Sequence, residues 1–186
     1  MRMILAIVLL LLPILVVPDL CAQAPRFSRG RVSGIVGAGR TWDDEGSLGP
    51  GIAVGGRIDW RLFGNTRVEG AFDLLTHDRS SGFSQAEGES AIFSASMLQG
   101  FGGGRAQPYV LGGLSLVRHS GTTRFDNRSF DRKSTDHGLH FGGGVSVRLG
   151  QRWEVGPEAR QYLINAGNDS DPALAFWIGG RFGIRF

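Results

Sequence analysis

The chain has 186 residues, of which 41% are hydrophobic and 20% charged, with a formal net charge of +3. This length is sufficient for one folded domain after an N-terminal leader. The 30 glycines are dispersed through apolar segments and do not form a linker, which excludes a disordered chain. The basic excess is small and the aromatic residues do not alternate with basic runs, so no nucleic acid is expected as a partner.

The N-terminal segment has the features of an export signal. Arg2 precedes an apolar run over residues 3–17, and small residues follow at 22–24. A positive start, a short apolar core and a small-residue cleavage site are typical of a secretory signal peptide, which is too short to span a membrane as a helix. We therefore predict a signal peptide over residues 1–24 and one mature domain over residues 25–186.

Eight apolar stretches follow the leader, and none has a sustained helical period. Each is near the length, about 9 to 11 residues, that a tilted strand needs to cross a bilayer. The stretches are 31–40, 51–63, 67–76, 90–101, 108–117, 138–149, 153–164 and 173–186. The connections 41–50, 77–89, 118–137 and 165–172 are long and polar, whereas 64–66, 102–107 and 150–152 are short. This alternation predicts an all-β, up-and-down antiparallel barrel of eight strands whose two ends differ.

The first short hairpin, around residues 64–66, predicts a register and a pattern of ion pairs. If these three residues form the turn, Arg61 faces Glu69 and Arg57 faces Asp73, while the opposite face is wholly apolar. A slip of one residue would mix the two faces, which favours this pairing. The hairpin therefore has one charged face and one apolar face.

The second short hairpin has the same organisation. Arg148 faces Glu154, and Glu158 and Arg160 continue the charged face along the next strand. Pro157 lacks a backbone donor, which predicts a β-bulge at this position. The residues predicted to form ion pairs on the charged face are Arg57, Asp73, Arg61, Glu69, Arg148, Glu154, Glu158 and Arg160.

The positions of the aromatic residues indicate which face points outward. A soluble lipocalin-like barrel would turn its apolar face inward around a ligand. Here the large aromatics fall on the apolar face at the short-turn ends, as in an interfacial belt. The members of this predicted aromatic belt are Trp60, Phe101, Trp153, Phe182 and Phe186. The charged, glycine-rich face then lines a narrow lumen that side chains fill, so we predict a closed transmembrane barrel that is plugged and not a pore.

The regularity of the alternation differs between the predicted strands. The stretches 31–40, 90–101 and 108–117 carry apolar residues at both parities, so alternation does not assign their faces. The last stretch, in contrast, is apolar or glycine at every second residue and ends on Phe186, preceded at the same parity by Phe182 and Ile184. An aromatic terminus inside a strand is unusual for a soluble domain.

With its leader, eight alternating strands, long and short loops and aromatic final strand, the chain resembles the small bacterial outer-membrane barrels of the OmpA and OmpX type. The resemblance implies residence in the outer membrane of a Gram-negative bacterium after export through the periplasm, with the short turns on the periplasmic side. It also implies that outer-membrane lipid and lipopolysaccharide surround the barrel. In that family the barrel-assembly machinery recognises the last strand, which corresponds here to Phe182, Ile184 and Phe186.

The long connections 41–50 and 118–137 are the predicted contact surface. The second contains five Lys or Arg residues and three Asp residues, which favours attraction to anionic lipopolysaccharide or to another surface ligand. A solvated loop of mixed charge without a partner explains the same composition. We predict a non-enzymatic barrel whose surface loops make envelope or partner contacts.

No catalytic, cofactor or metal site is predicted. His137 and His140 are three residues apart and therefore lie on opposite faces of a strand, where they cannot bind one ion together. Some eight-stranded outer-membrane barrels modify lipid A with His, Ser and Glu, but their His-x-Ser spacing is absent because Ser120 follows His119 directly. Two alternatives stay open: a lipid-modifying enzyme of the lipid A deacylase kind, and a soluble lipocalin-like barrel that binds a ligand.

Overall fold

The structure is a computed structural model that describes residues 30–43, 46–81, 84–125, 128–165 and 173–186, so the predicted leader lies outside the described residues. The strands are β1 (Gly30–Asp43), β2 (Gly46–Phe63), β3 (Thr66–Ser81), β4 (Ser84–Gly100), β5 (Ala106–Phe125), β6 (Arg128–Leu149), β7 (Trp153–Asn165) and β8 (Ala173–Arg185). Each strand pairs antiparallel with the next, and β8 pairs with β1, which closes the barrel. The predicted closed eight-stranded barrel is confirmed.

No helix in the described ranges is long and apolar enough to span a membrane.

Side chains alternate between the lumen and the outer surface along each strand. On β8, Phe182 and Ile184 point outward and are exposed, whereas Trp177 and Arg181 are buried in the lumen. The three strands of uncertain facing, β1, β4 and β5, alternate in the same way. They have apolar residues at both parities because their inward side chains, such as Ile35 on β1, pack in an apolar cluster inside the lumen.

The outward face of β8 is long enough to cross a membrane. Its outward positions run from Leu174 to Phe186 and are apolar or glycine throughout. Twelve steps of about 3.3 Å give about 40 Å along the strand, or about 30 Å after a tilt of about 40°. An outer-membrane barrel presents an apolar band of about 25 Å, so this strand covers it.

The predicted aromatic belt lies on the outside of the barrel at the short-turn end. The rings of Trp60 and Phe186 have centroids 6.3 Å apart, and Trp153 stacks on Phe182 at 5.1 Å. Gly30 makes room for the first pair, since a Cβ there would lie 2.6 Å from the Phe186 ring. All five predicted members are exposed: Trp60, Phe101, Trp153, Phe182 and Phe186.

The strands extend farther than predicted at the end opposite the short turns. Most of the predicted loops 41–50, 77–89 and 118–137 belongs to paired strands, and the β5–β6 pairing continues out to Phe125 and Arg128. Segments that extend beyond the apolar band have no membrane to face on their outer side. They therefore show no hydrophobic alternation, although their backbones still pair, and the sequence pattern does not reveal them.

The β2–β3 hairpin has a different register from the predicted one. Its turn contains two residues, of which Gly64 has a φ of 49°, and a register shift follows within β2. As a result Arg61 lies opposite Arg67, and Glu69 lies opposite Asp59. The predicted opposition of Arg61 and Glu69 is wrong by two residues. A shift of two keeps every side chain on its own face, so alternation does not distinguish the two registers.

The β6–β7 hairpin has the predicted register, with Arg148 opposite Glu154. The predicted bulge at Pro157 is wrong, because Gly144 pairs with Glu158 in the same register beyond it. No β6–β7 pair forms between the Gly144–Glu158 pair and the Val147–Val155 pair. The missing donor of the proline is thus accommodated by a local gap in the ladder and not by an inserted residue.

Candidate functional site in the lumen

A buried network of charges occupies the middle of the lumen. Three arginines and four carboxylates, each at most 5% exposed, project inward from β2, β3, β7 and β8. This central network consists of Arg57, Arg160, Arg181, Asp59, Glu69, Asp73 and Glu158. Burying an ion is costly unless it is paired and hydrogen-bonded, so the arrangement of partners determines whether the lumen is stable.

Glu158 on β7 is the carboxylate with the most donors. Its Oε1 accepts hydrogen bonds from Arg57 Nε at 3.2 Å and Arg160 Nε at 2.7 Å. Its Oε2 accepts from Arg181 Nη1 at 2.9 Å and from the Tyr109 hydroxyl. Four strands therefore converge on one carboxylate, and each of its oxygens binds two donors.

The predicted partners Arg57 and Asp73 are brought together. Two guanidinium nitrogens of Arg57 donate to the two Asp73 oxygens at 2.7 and 3.2 Å, and the Tyr162 hydroxyl donates to the same carboxylate at 2.8 Å. The contact is diagonal across the β2–β3 pair, because Arg57 lies directly opposite Ala71. The guanidinium also stacks over the Trp177 ring, with 5.2 Å from its carbon to the ring centroid.

The predicted partners Arg61 and Glu69 have other contacts. Arg61 Nε donates to the carbonyl of Gly64 at 2.7 Å, in the turn that follows. Glu69 instead accepts from Arg160, and Arg181 Nη1 lies 3.1 Å from its Oε2. These partners of Glu69 lie on β7 and β8, across the lumen from β3. The register of the β2–β3 hairpin therefore does not predict them.

At the short-turn mouth, Glu154 is the acidic residue of a mainly basic group. Arg148 lies opposite it across the β6–β7 pair. Its Oε1 accepts from Arg31 Nη1, and its Oε2 lies 3.8 Å from Arg185 Nε. Arg31 also donates to Asp59 and so connects this mouth to the central network.

An apolar cluster fills the lumen on the side of the central network that faces away from the short-turn mouth. Its members are buried side chains from seven strands: Ile35, Ala53, Leu75, Ile92, Val117, Tyr162, Ile164, Ala175 and Trp177. Together the central network and this cluster fill the middle of the lumen and the part beyond it with side chains, and eight strands leave just enough interior space for such filling.

The outer end of the lumen contains a group that the sequence did not reveal. Ser90 Oγ lies 2.8 Å from His119 Nδ1, and His119 Nε2 lies 3.9 Å from Asp136 Oδ2. Ser134 also donates to this Asp136 oxygen at 2.9 Å. The group comes from β4, β5 and β6, with Ser90 directly opposite His119. Only the strand register brings these residues together, so a search for a local His-x-Ser spacing could not find them.

The histidines of β6 lie as expected from their spacing. His137 is exposed and His140 is buried in the lumen, where its Nε2 lies 2.8 Å from Ser96 Oγ. Within the ranges that the structure describes, no group of three or more His, Cys, Asp or Glu side chains is arranged to hold a metal ion.

These features define a small transmembrane β-barrel with an apolar outer band and a side-chain-filled, ionic lumen. Residues 7–182 match the family model described as "Outer membrane protein beta-barrel domain", and the chain belongs to this family. The family implies residence in the bacterial outer membrane. No curated protein has a significantly similar sequence.

Several solved structures have the same fold. Neisserial surface protein A (NspA) is 14% identical, with a TM-score of 0.68 over 84% of this chain and 97% of that one. Ail of Yersinia pestis is 12% identical, with a TM-score of 0.57 over 84% and 99%. The N-terminal barrel domain of OprF from Pseudomonas aeruginosa is 15% identical, with a TM-score of 0.52 over 85% and 99%. At these identities the likeness shows the fold alone.

Proposed function

We propose that the protein is a non-enzymatic outer-membrane barrel with a closed lumen, whose outer hairpins contact the envelope or a surface ligand. The observation that carries this proposal is the filling of the lumen. The central network is buried and multiply hydrogen-bonded, and the apolar cluster lies against it, so transport of a solute would require both to rearrange. The outer ends of the strands are then the proposed surface for contacts outside the cell.

The β5–β6 hairpin is the proposed contact segment. Arg118 and Lys133 are exposed on it, and the sequence between them contributes three further arginines and two aspartates. Basic side chains just beyond the apolar band favour the phosphate groups of lipopolysaccharide, because their attraction acts over about a Debye length. Lipopolysaccharide is the proposed ligand of this hairpin.

Two measurements test the proposal. In planar bilayers the barrel is expected to show no stepwise conductance, and steady single-channel steps would contradict a closed lumen. For the hairpin, Arg118→Ser combined with Lys133→Ser is expected to weaken lipopolysaccharide binding by about tenfold. The matched control is Arg105→Ser combined with Arg152→Ser, which removes the same charge from exposed positions at the short-turn end. Equal effects of the two pairs would refute a specific role for the hairpin.

Export and assembly complete the proposal. We propose that residues 1–24 are removed during export, which N-terminal sequencing of the outer-membrane form would test. Phe182, Ile184 and Phe186 are the proposed recognition signal for the barrel-assembly machinery. Their side chains all point outward along β8, between 36% and 58% exposed, where a protein outside the barrel can contact them.

A second candidate is a lipid-modifying hydrolase, favoured by the group of Ser90, His119 and Asp136. A serine hydroxyl beside an imidazole that in turn approaches a carboxylate is the arrangement of nucleophile, base and orienting acid. Two features count against it: the His119–Asp136 distance of 3.9 Å exceeds a hydrogen bond, and Ser90 is 1% exposed. Lipid A profiles of cells with the natural protein and with Ser90→Ala decide between the candidates. A difference that follows the serine would establish the hydrolase.

A further inference from the structure

A cleft that opens to solvent lies in the short-turn mouth of the lumen. Five arginines and one carboxylate contribute the charged groups of its wall: Arg31, Arg61, Arg67, Arg148, Arg185 and Glu154. We call it the basic cleft. The formal charges of these six side chains add up to +4. Guanidinium groups gathered around one opening repel one another, so an anion between them lowers the electrostatic energy.

The neighbouring carboxylates are already shared among several arginines. Asp59, the next acid inward, accepts from Arg31, from Arg67 Nη1 at 2.7 Å and from Arg181 Nη2 at 2.8 Å. Glu154 Oε1 accepts from Arg31 as well. One carboxylate per two or three guanidinium groups leaves the cleft basic whichever hydrogen bonds its arginines make.

Arg185 supplies an independent sign of a missing acceptor. Its side chain is 8% exposed and its buried Nε has no hydrogen-bond partner among the described residues, since the nearest Glu154 oxygen is 3.8 Å away. Its Nη2 donates to the carbonyls of Gly150 at 3.4 Å and Gln151 at 2.9 Å. The turn thus holds the guanidinium in place at the cleft wall, with a buried Nε donor that no acceptor among the described residues satisfies.

We propose that the basic cleft is a binding site for a phosphate group. Arginine forks match the geometry of phosphate oxygens, and neutral donors from Asn65 and Gln107 also line the wall. The central network lies inward of the cleft, so a ligand enters from the mouth and does not thread through the barrel. The phosphate comes either from free orthophosphate or from a lipid headgroup at this membrane face, and both sources present the same chemistry.

The proposal is tested by titrating inorganic phosphate into the full-length mature barrel, folded in a phosphate-free neutral detergent at low ionic strength, with calorimetric detection. Saturable binding is expected, and Arg148→Gln is expected to weaken it about tenfold. Arg40→Gln removes the same charge from an exposed position near the other end of β1 and is expected to leave binding unchanged. Absence of saturable binding, or equal weakening by the two variants, would overturn the proposal.

A second pair of variants retains every arginine and so decides the matter if Arg148→Gln does not fold. Gln107→Glu adds a negative charge to the cleft wall, whereas Gln151→Glu adds it to an exposed turn outside the wall. Loss of phosphate binding only in Gln107→Glu supports the site, and equal loss in both refutes it. Short-chain phosphatidylglycerol in the micelles then separates the sources. Competition with phosphate identifies a lipid headgroup as the ligand, and phosphate binding unaffected by the lipid identifies the free anion.

Discussion

Glu158→Gln is expected to be among the most destabilising single substitutions in the lumen. The carboxylate accepts four hydrogen bonds, two on each oxygen. A glutamine keeps one acceptor oxygen but places an NH₂ group against the other two donors, which are Arg181 and Tyr109 if Oε1 stays with Arg57 and Arg160. Two buried donors without acceptors cost about 1–3 kcal/mol each, and removing one partner from a buried ion pair costs about 3–5 kcal/mol. The expected loss is therefore about 4 kcal/mol.

The measurement is equilibrium urea unfolding in detergent micelles. The folded fraction at each urea concentration is read from its gel mobility, which changes when the sample is heated. Glu154→Gln is the matched control at the mouth of the lumen. Its Oε1 can still accept from Arg31, and its Oε2 lies 3.8 Å from the nearest Arg185 nitrogen, so the expected loss is about 1 kcal/mol. Combining Glu158→Gln with Arg160→Met removes one charge of each sign and is expected to recover part of the loss.

Equal losses for Glu158→Gln and Glu154→Gln would refute the conclusion that the number of donors on a carboxylate determines the cost of replacing it. A loss below about 1 kcal/mol for Glu158→Gln would show that the lumen is wet, because water then replaces the missing acceptor.

Two further predictions concern close packing and assembly. Gly144→Ala is expected to destabilise the barrel by about 1–3 kcal/mol, because its Cβ would lie nearest the Pro157 carbonyl oxygen and 2.7 Å from the Tyr109 hydroxyl. Gly180→Ala meets no atom within 4 Å and should be neutral in the same urea assay. Similar losses at both glycines would contradict this packing argument. Deletion of Phe186 is expected to lower the heat-modifiable, folded fraction in outer membranes, while Phe93→Ala, at a similarly exposed aromatic on β4, should not. Normal insertion without the terminal residue would remove its proposed role.

Strand number and facing are accessible from the sequence because the membrane imposes one strict condition on each strand. Outward side chains must be apolar or very small, and the lumen tolerates charge only when it is paired. On β8 this condition produces an unbroken apolar row beside Arg181 and Arg185. The same condition fails to mark the strand ends near residues 118–137, because beyond the apolar band neither face has to be apolar.

The register of neighbouring strands cannot be predicted from hydrophobic alternation. Moving β2 by two residues against β3 keeps Arg57 and Asp59 in the lumen, so both registers satisfy the membrane, and the turn length decides between them. An error of two residues in the register assigns an acidic residue to the wrong arginine. Glu69 was expected to pair with Arg61, yet it binds Arg160 and Arg181 from strands far away in the chain.

The Ser90, His119 and Asp136 group has the same origin. Ser90 and His119 are 29 residues apart in the chain, and the three members meet only because β4, β5 and β6 are aligned in one register. Cross-strand sites of this kind require pairing information, which hydrophobic alternation does not contain.

Closure of the barrel by β1 and β8 has a kinetic consequence. Val32 pairs with Ile184, so the last ladder joins segments from the two ends of the described chain. Pairings of such sequence separation form slowly, since the entropy of closing the intervening loop opposes them. Until that ladder forms, both strands present unpaired backbone edges that can join other chains. The interval before β1 and β8 pair is therefore the one in which edge-to-edge association with other chains competes most with folding.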